Sequence, residues 1–356
     1  MEDSKEDASN EKPTSPQWTD EEFENYLRQE LENDPLSKEY PELFATAPKL
    51  ISKWRQRYQG NPTLWKRLFN KDRVLKEFIE ASPIIDSVQR LVLDSDNILK
   101  EGEKFTILDL ACGRGYLSML LSELLPPEKV DACILIDKQW CMHNMTPEPH
   151  HISWTHIYGS CKECEDPSIP RYHDTWPIRL NTCKVNLKKS KEIHNLEKRI
   201  FQTKGPIILV AVHLCGTLSL KAVELFNNNP ETRFFCLKPC CLPGMVHAKR
   251  DEIFHLGEHS FDSKLVCMAG KWKKNTWYGP PRTTTKAYFK RWAENLYLGI
   301  NDADAAKIKK KIMVQHDGGY QNDFLFAERL PETVTVWDSL RQEEEQQSAD
   351  GEEGVE

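Results

Sequence analysis

The sequence predicts an α/β protein. Its core is a Rossmann-like, doubly wound parallel sheet with a C-terminal antiparallel hairpin, preceded by a helical extension. Three observations predict this. Short apolar runs alternate with helical stretches from residue 105 onward, a glycine-rich turn follows the first run, and no strand-like alternation occurs before residue 104.

The elements follow in order. Residues 1–16 are poor in apolar side chains and rich in charge, so a disordered acidic tail is expected. A helix is predicted from Thr19, with Asp20, Glu21 and Glu22 in its first turn, to about Glu32 before Asn-Asp-Pro. Further helices are predicted at about 46–58, 62–70, 72–81 and 84–94, and Ile84, Ile85, Val88, Leu91 and Val92 keep helical spacing. Together these form a helical extension over 17–100. The main domain, with insertions, is expected over 101–337. Its predicted strands lie at 105–110, 132–136, 206–212 and 234–237, with a weaker one at 152–158. Helices are predicted at 117–125, 188–201 and 218–226. Residues 309–315 and 323–328 flank His316-Asp317-Gly318-Gly319-Tyr320 and read as an antiparallel hairpin. A second acidic tail, 338–356, is expected to be disordered.

Charge is unevenly spread. The chain's net charge is −7, but residues 1–35 carry −9 and residues 338–356 carry −7. Removing both tails leaves +9 on residues 36–337. A basic body suits a polyanion partner, although tails that serve solubility alone would give the same pattern. No apolar stretch approaches the eighteen or so residues of a membrane span. The N-terminus has no basic start followed by an apolar core, so a cytoplasmic or nuclear location is expected. Eleven cysteines, odd in number and scattered, argue for reduced thiols rather than a disulfide framework.

The turn reads Asp109-Leu110-Ala111-Cys112-Gly113-Arg114-Gly115. Small residues between a strand and a helix let a ligand approach the backbone and the helix N-terminus. A pyrophosphate-binding fingerprint would carry a third glycine where Ser118 stands, and Asp109 would repel a pyrophosphate. An acid there suits a ligand with an amino group or a sulfonium. A turn without a ligand is the plainer alternative. The segment resembles motif I of the class I S-adenosylmethionine-dependent methyltransferases, with Ala111 in place of the first glycine. The resemblance implies that Asp109, Leu110, Ala111, Cys112, Gly113 and Gly115 bind the cofactor. It also implies a second acid at the end of the next strand, for the ribose hydroxyls, and Asp137 stands there.

Two later strands end in His213-Leu214-Cys215-Gly216 and Lys238-Pro239-Cys240-Cys241. Strand carboxyl ends are where α/β sheets bind ligands. Over about 104–245, this pair of motifs resembles the superfamily of the tRNA acceptor-stem ribose 2′-O-methyltransferases (the Trm-thirteen family) and the methyltransferase-twenty-five-like proteins. The implied activity is methyl transfer to RNA, with tRNA ribose favoured. The tRNA enzymes carry N-terminal Cys/His zinc fingers, whereas no cysteine precedes Cys112 here. His213 or a buried Lys238 could act as base on a hydroxyl. Cys215, Cys240 or Cys241 could instead attack a cytosine ring. Packing under the cofactor is the bland alternative. No metal site is assigned; Cys161, Cys164, His213, Cys215, Cys240 and Cys241 hold enough thiols and imidazole for zinc, but only Cys161-x-x-Cys164, the weak candidate, has ligand spacing.

Residues 271–292 hold seven bases and no acid, interleaved with aromatics. Lys271, Trp272, Lys273, Lys274, Trp277 and Arg282 are the candidate nucleic-acid contacts. Lys53–Tyr58, Trp65–Arg67 and Lys307–Lys311 repeat the theme, while Tyr288, Phe289 and Trp292 could equally be the buried face of a helix. The expected function is thus S-adenosylmethionine-dependent methylation of RNA. Rivals are a cytosine-5 RNA methyltransferase, an inactive RNA-binding scaffold, and methylation of a protein or small molecule.

Overall fold

The computed structural model describes residues 18–330 apart from 72, 143, 144, 146, 147, 160–170, 202, 203, 274, 275 and 315–320. Of residues 271–273, 276 and 277 only the backbone is described. Both acidic tails therefore lie outside the described residues, as do Cys161, Cys164 and Lys274.

The chain divides into two compact units, Met1–Glu77 with Pro167–Pro170, and Phe78–Asp166 with Arg171–Glu356. The division falls between Glu77 and Phe78, within one helix.

The first unit contains α1 (Asp20–Glu32), α2 (Leu36–Glu39), α3 (Pro41–Arg57) and α4 (Pro62–Lys66), with a π turn at Arg67–Lys71. A reciprocal cap starts α1: Thr19 N–H donates to Glu22 Oε2 (2.7 Å), and Glu22 N–H donates back to Thr19 Oγ1 (3.2 Å). The aromatics expected to hold nucleic acid are core here. Trp54, Tyr58 and Trp65 are buried, and Arg55 donates to the Thr19 carbonyl at 3.1 Å.

Helix α5 (Val74–Leu93) crosses the division. Two shorter helices were expected in its place, with a break at Pro83. The helix continues because Ser82 Oγ donates to the Ile79 carbonyl (2.9 Å), the acceptor that a residue without an N–H leaves unsatisfied. The remaining helices are α6 (Tyr116–Leu124), α7 (Thr155–Tyr158), α8 (Ser190–Ile200), α9 (Leu218–Asn228), α10 (Met245–Ala248) and α11 (Arg282–Leu298). The weak strand expected at 152–158 is replaced by the single turn of α7.

The central sheet has seven strands: β1 (Phe105–Leu110), β2 (Val130–Ile136), β3 (Arg179–Cys183), β4 (Ile207–Cys215), β5 (Thr232–Cys241), β10 (Ala305–Lys311) and β11 (Asp323–Arg329). Two small ribbons, β6 (Ile253–Leu256) with β7 (His259–Asp262) and β8 (Lys271–Lys273) with β9 (Thr276–Tyr278), lie between β5 and β10 in the chain. The sheet order is β10-β11-β5-β4-β1-β2-β3, and β1 through β5 run parallel. Strand β11 runs antiparallel to both β5 and β10, which is the expected C-terminal hairpin inserted at the sheet edge. Strands β1, β4 and β5 are buried almost throughout, as parallel strands covered on both faces should be. The order reverses between β1 and β4, and a crevice opens at such a point beyond the strand carboxyl ends.

Candidate active site

The glycine turn closes β1. Ala111, Gly113 and Gly115 all have positive φ (+50°, +54° and +82°). At Gly115 a Cβ would overlap Leu135 of β2, so glycine is required for packing as well as for backbone angle. At Gly113 a Cβ would meet no atom within 4 Å. Its backbone therefore faces open space, which is what a cofactor lying flat on the turn needs. Beneath the turn His156, fully buried, holds the Arg114 carbonyl at 2.7 Å.

The two acids have different situations. Asp137, half-buried at the end of β2, accepts from Gly113 N–H (3.2 Å) and Gln139 N–H (2.7 Å). Burial raises its carboxyl while those two N–H groups pull it back down. Its position between the turn and the crevice fits a pair of ribose hydroxyls. Asp109 is 2 % exposed and accepts from Ser118 Oγ at 2.8 Å. Desolvation lifts it to about 7, against the opposing bond from Ser118. It ties β1 to α6 through that bond. Leu110 is fully buried, so only its backbone can face a ligand. The Cys112 thiol is pushed up by burial and by Asp109 and Asp137, so it stays neutral.

The ends of β4 and β5 meet across a double irregularity. Val212 pairs with Lys238, Leu214 with Pro239 and Cys215 with Cys241. His213 is therefore one extra residue in β4, and Cys240 is one extra in β5. Such bulges re-aim side chains next to functional sites. His213 takes φ +63° as it leaves the ladder. Its Nε2 lies 2.7 Å from Glu80 Oε2, and Lys238 Nζ lies 3.7 Å from the same oxygen. Glu80, on α5, and Lys238 are both buried, whereas about a third of the His213 side chain is exposed. Lys238 also stands over the Phe324 ring at 5.9 Å. At 0 % exposure Lys238 cannot reach an acceptor in solvent; it faces the carboxylate that holds His213.

Beside them Cys215 and Cys240 Sγ are 3.1 Å apart, and Cys240 and Cys241 Sγ 3.6 Å. Hydrogen bonds from Cys240 and Cys241 lower the Cys215 thiol far below its ordinary value, and the same bonds raise Cys240.

Residues 76–247 match the family model described as "Methyltransferase domain". The chain carries a methyltransferase domain. Its cofactor is S-adenosylmethionine, and it is an S-adenosylmethionine-dependent enzyme of the class I kind. Glu80 falls inside the matched region, as do both acids and both strand-end motifs. Solved structures similar to this methyltransferase include a putative rRNA methylase from Clostridium thermocellum (12 % identity, 68 % of this chain and 95 % of that chain, TM-score 0.32). Another is the plantazolicin methyltransferase BpumL in complex with SAH (12 %, 87 % and 97 %, TM-score 0.32). A third is an S-adenosylmethionine-dependent methyltransferase from Clostridium acetobutylicum (8 %, 76 % and 98 %, TM-score 0.30). No curated protein matches the chain.

The basic residues of the methyltransferase separate by environment. Phe289 and Trp292 of α11 are core, packed with Phe254 and Phe261, while Arg282, Lys286 and Lys290 of the same helix are exposed. The run in β10 serves the fold: Lys307 pairs with Asp302 at 3.1 Å, Lys309 with Glu294, and Lys310 is buried. Tyr278, at the end of β9, is 55 % exposed. Lys271, Trp272, Lys273 and Trp277 have described backbone in the β8–β9 ribbon and no described side chains. No helix among the described residues is long and apolar enough to cross a membrane.

Proposed function

We propose that this methyltransferase acts on RNA, with a ribose 2′-hydroxyl as acceptor and tRNA as the favoured substrate class. The observation that carries the proposal is the approach of His213 Nε2 to the buried Glu80 carboxylate at the end of β4. A hydroxyl is a weak nucleophile and needs a base as the methyl group moves. An imidazole beside a buried carboxylate is suited to that role, because the carboxylate stabilises the charge gained on taking a proton. In this reading Nδ1 of His213 takes the hydroxyl proton. Glu80 and Lys238 position the ring.

S-adenosylmethionine supplies an electrophilic methyl group on its sulfonium. Asp137 would hold its ribose hydroxyls, and the backbone of residues 111–115 would hold its methionine part. The +9 body and the exposed bases of α11 support a polyanionic substrate, as does the exposed Tyr278 ring. The strand-end motifs, through the family they resemble, favour tRNA.

The test is transfer of tritiated methyl from the cofactor to total cellular RNA, followed by nucleoside analysis. Label in a 2′-O-methylated nucleoside, lost in His213→Ala, is the expected result. Label in 5-methylcytidine would replace the hydroxyl reading with a cysteine nucleophile. Label in protein or small molecules alone would sink the RNA reading.

A further inference from the structure

Three thiols converge at the carboxyl ends of β4 and β5, and the Sγ atoms of Cys215, Cys240 and Cys241 all lie within 4.8 Å of one another. In a regular strand consecutive side chains face opposite sides, so Cys240 and Cys241 would not share a site. The extra residue in β5 cancels that alternation, bringing both sulfurs to Cys215. The backbone around them is tied down: Gly216 N–H donates to the Cys241 carbonyl at 3.2 Å, and Gln321 Nε2 donates to the Cys240 carbonyl.

We propose that Cys215, Cys240 and Cys241 bind one zinc ion. A tetrahedral centre with Zn–S bonds of about 2.3 Å sets its sulfurs about 3.8 Å apart. The spacings of 3.1 and 3.6 Å need only a few tenths of an ångström of opening per sulfur, which side-chain rotation supplies. The donor set is all soft thiol, which selects zinc or monovalent copper over magnesium or calcium. Binding forms three Zn–S bonds, and each ligand thiol loses its proton to solvent as its bond forms. Cys215 and Cys241 reach the surface, so the fourth position opens toward water or an added ligand. This makes an open three-ligand site at the carboxyl ends of β4 and β5. Its existence does not depend on which acceptor is methylated.

The full chain, purified under reductant, is loaded with zinc, desalted and assayed for metal. The expected result is roughly one zinc per chain, lost in a Cys215→Ser/Cys240→Ser double variant and kept in Cys161→Ser/Cys164→Ser. Cobalt substitution of the wild-type chain gives a second readout that does not depend on any variant folding. Its sulfur-to-cobalt charge-transfer absorption should have the intensity of three thiolates. No retained zinc, metal kept by the Cys215→Ser/Cys240→Ser variant, metal lost with Cys161 and Cys164, or a cobalt spectrum without thiolate bands would each overturn the proposal. So would a Cys215–Cys240 disulfide found in place of metal.

Discussion

Gly113 and Gly115 share a positive φ and differ in what surrounds them, which separates folding from binding. Gly115→Ala puts a side chain in the left-handed region, at about 1–2 kcal/mol. It also drives a methyl group into Leu135, and overpacking of that kind costs about 1–3 kcal/mol more. The total, roughly 2–5 kcal/mol, is a large share of a domain's 5–15 kcal/mol. Gly113→Ala carries only the first of these costs, because its Cβ meets no protein atom within 4 Å. The space it occupies is where the cofactor should lie. S-adenosylmethionine should therefore bind it at least about tenfold more weakly, a loss of about 1.4 kcal/mol or more. Urea unfolding measures the stability arm and isothermal titration calorimetry with S-adenosylmethionine the binding arm. Equal stability losses in the two variants would refute the packing argument. Wild-type affinity in Gly113→Ala would refute the placement of the cofactor.

Three further outcomes follow from the same geometry. Asp137→Ala should raise the Kd for S-adenosylmethionine about tenfold or more while leaving the melting temperature within a few degrees, since the side chain is half-buried and accepts from the backbone N–H groups of Gly113 and Gln139; unchanged calorimetric affinity would remove its assigned role. Glu80→Gln takes away the carboxylate shared by His213 and buried Lys238. Breaking such a buried pair costs about 3–5 kcal/mol, and single-turnover rates should fall about a hundredfold. Adding Lys238→Met should restore stability in thermal melts but not turnover, and recovery of both would show that Glu80 is structural only. Asp109, at about 7 in the fold against about 3.9 in the unfolded chain, disfavours its own ionisation. Both states are protonated below about pH 4, so that stability is fully present there. It falls by up to about 4 kcal/mol as pH rises to about 7, where the folded-state group also ionises. Urea midpoints across that window should slope for the wild type and flatten in Asp109→Asn; parallel curves would contradict the burial argument.

The parallel sheet was legible because its strands are buried on both faces and so appear as unbroken apolar runs, each closed by a polar or glycine turn. Strand β3 was not, since Arg179–Cys183 lies at the sheet edge and alternates exposed with buried positions over only five residues. The turn and Asp137 could be found from local spacing. Glu80 could not, because it stands 133 residues from His213 in sequence. A signal was nonetheless present. Glu80 lies four residues before Ile84 and eight before Val88, on the same apolar helix face. A lone carboxylate on a buried face demands a cationic or hydrogen-bonding partner. The basic aromatic segments misled for a related reason. Trp54, Tyr58, Trp65, Phe289 and Trp292 are spaced as helix cores require, and composition alone does not separate a core face from a stacking surface.

The two extra residues at the ends of β4 and β5 have a consequence for how this chain tolerates length changes. Pairing slips by one position at His213 and returns at Cys240, so the ladder beyond resumes the offset it had before. The insertions are complementary. Deleting either residue alone would leave Cys215 and Cys241 a step out of phase, with one sulfur turned to the opposite face of the sheet. Deleting both would keep every remaining pair in register. The strand ends can therefore gain or lose the His213 imidazole and the Cys240 thiol only together, as a matched pair of single-residue events.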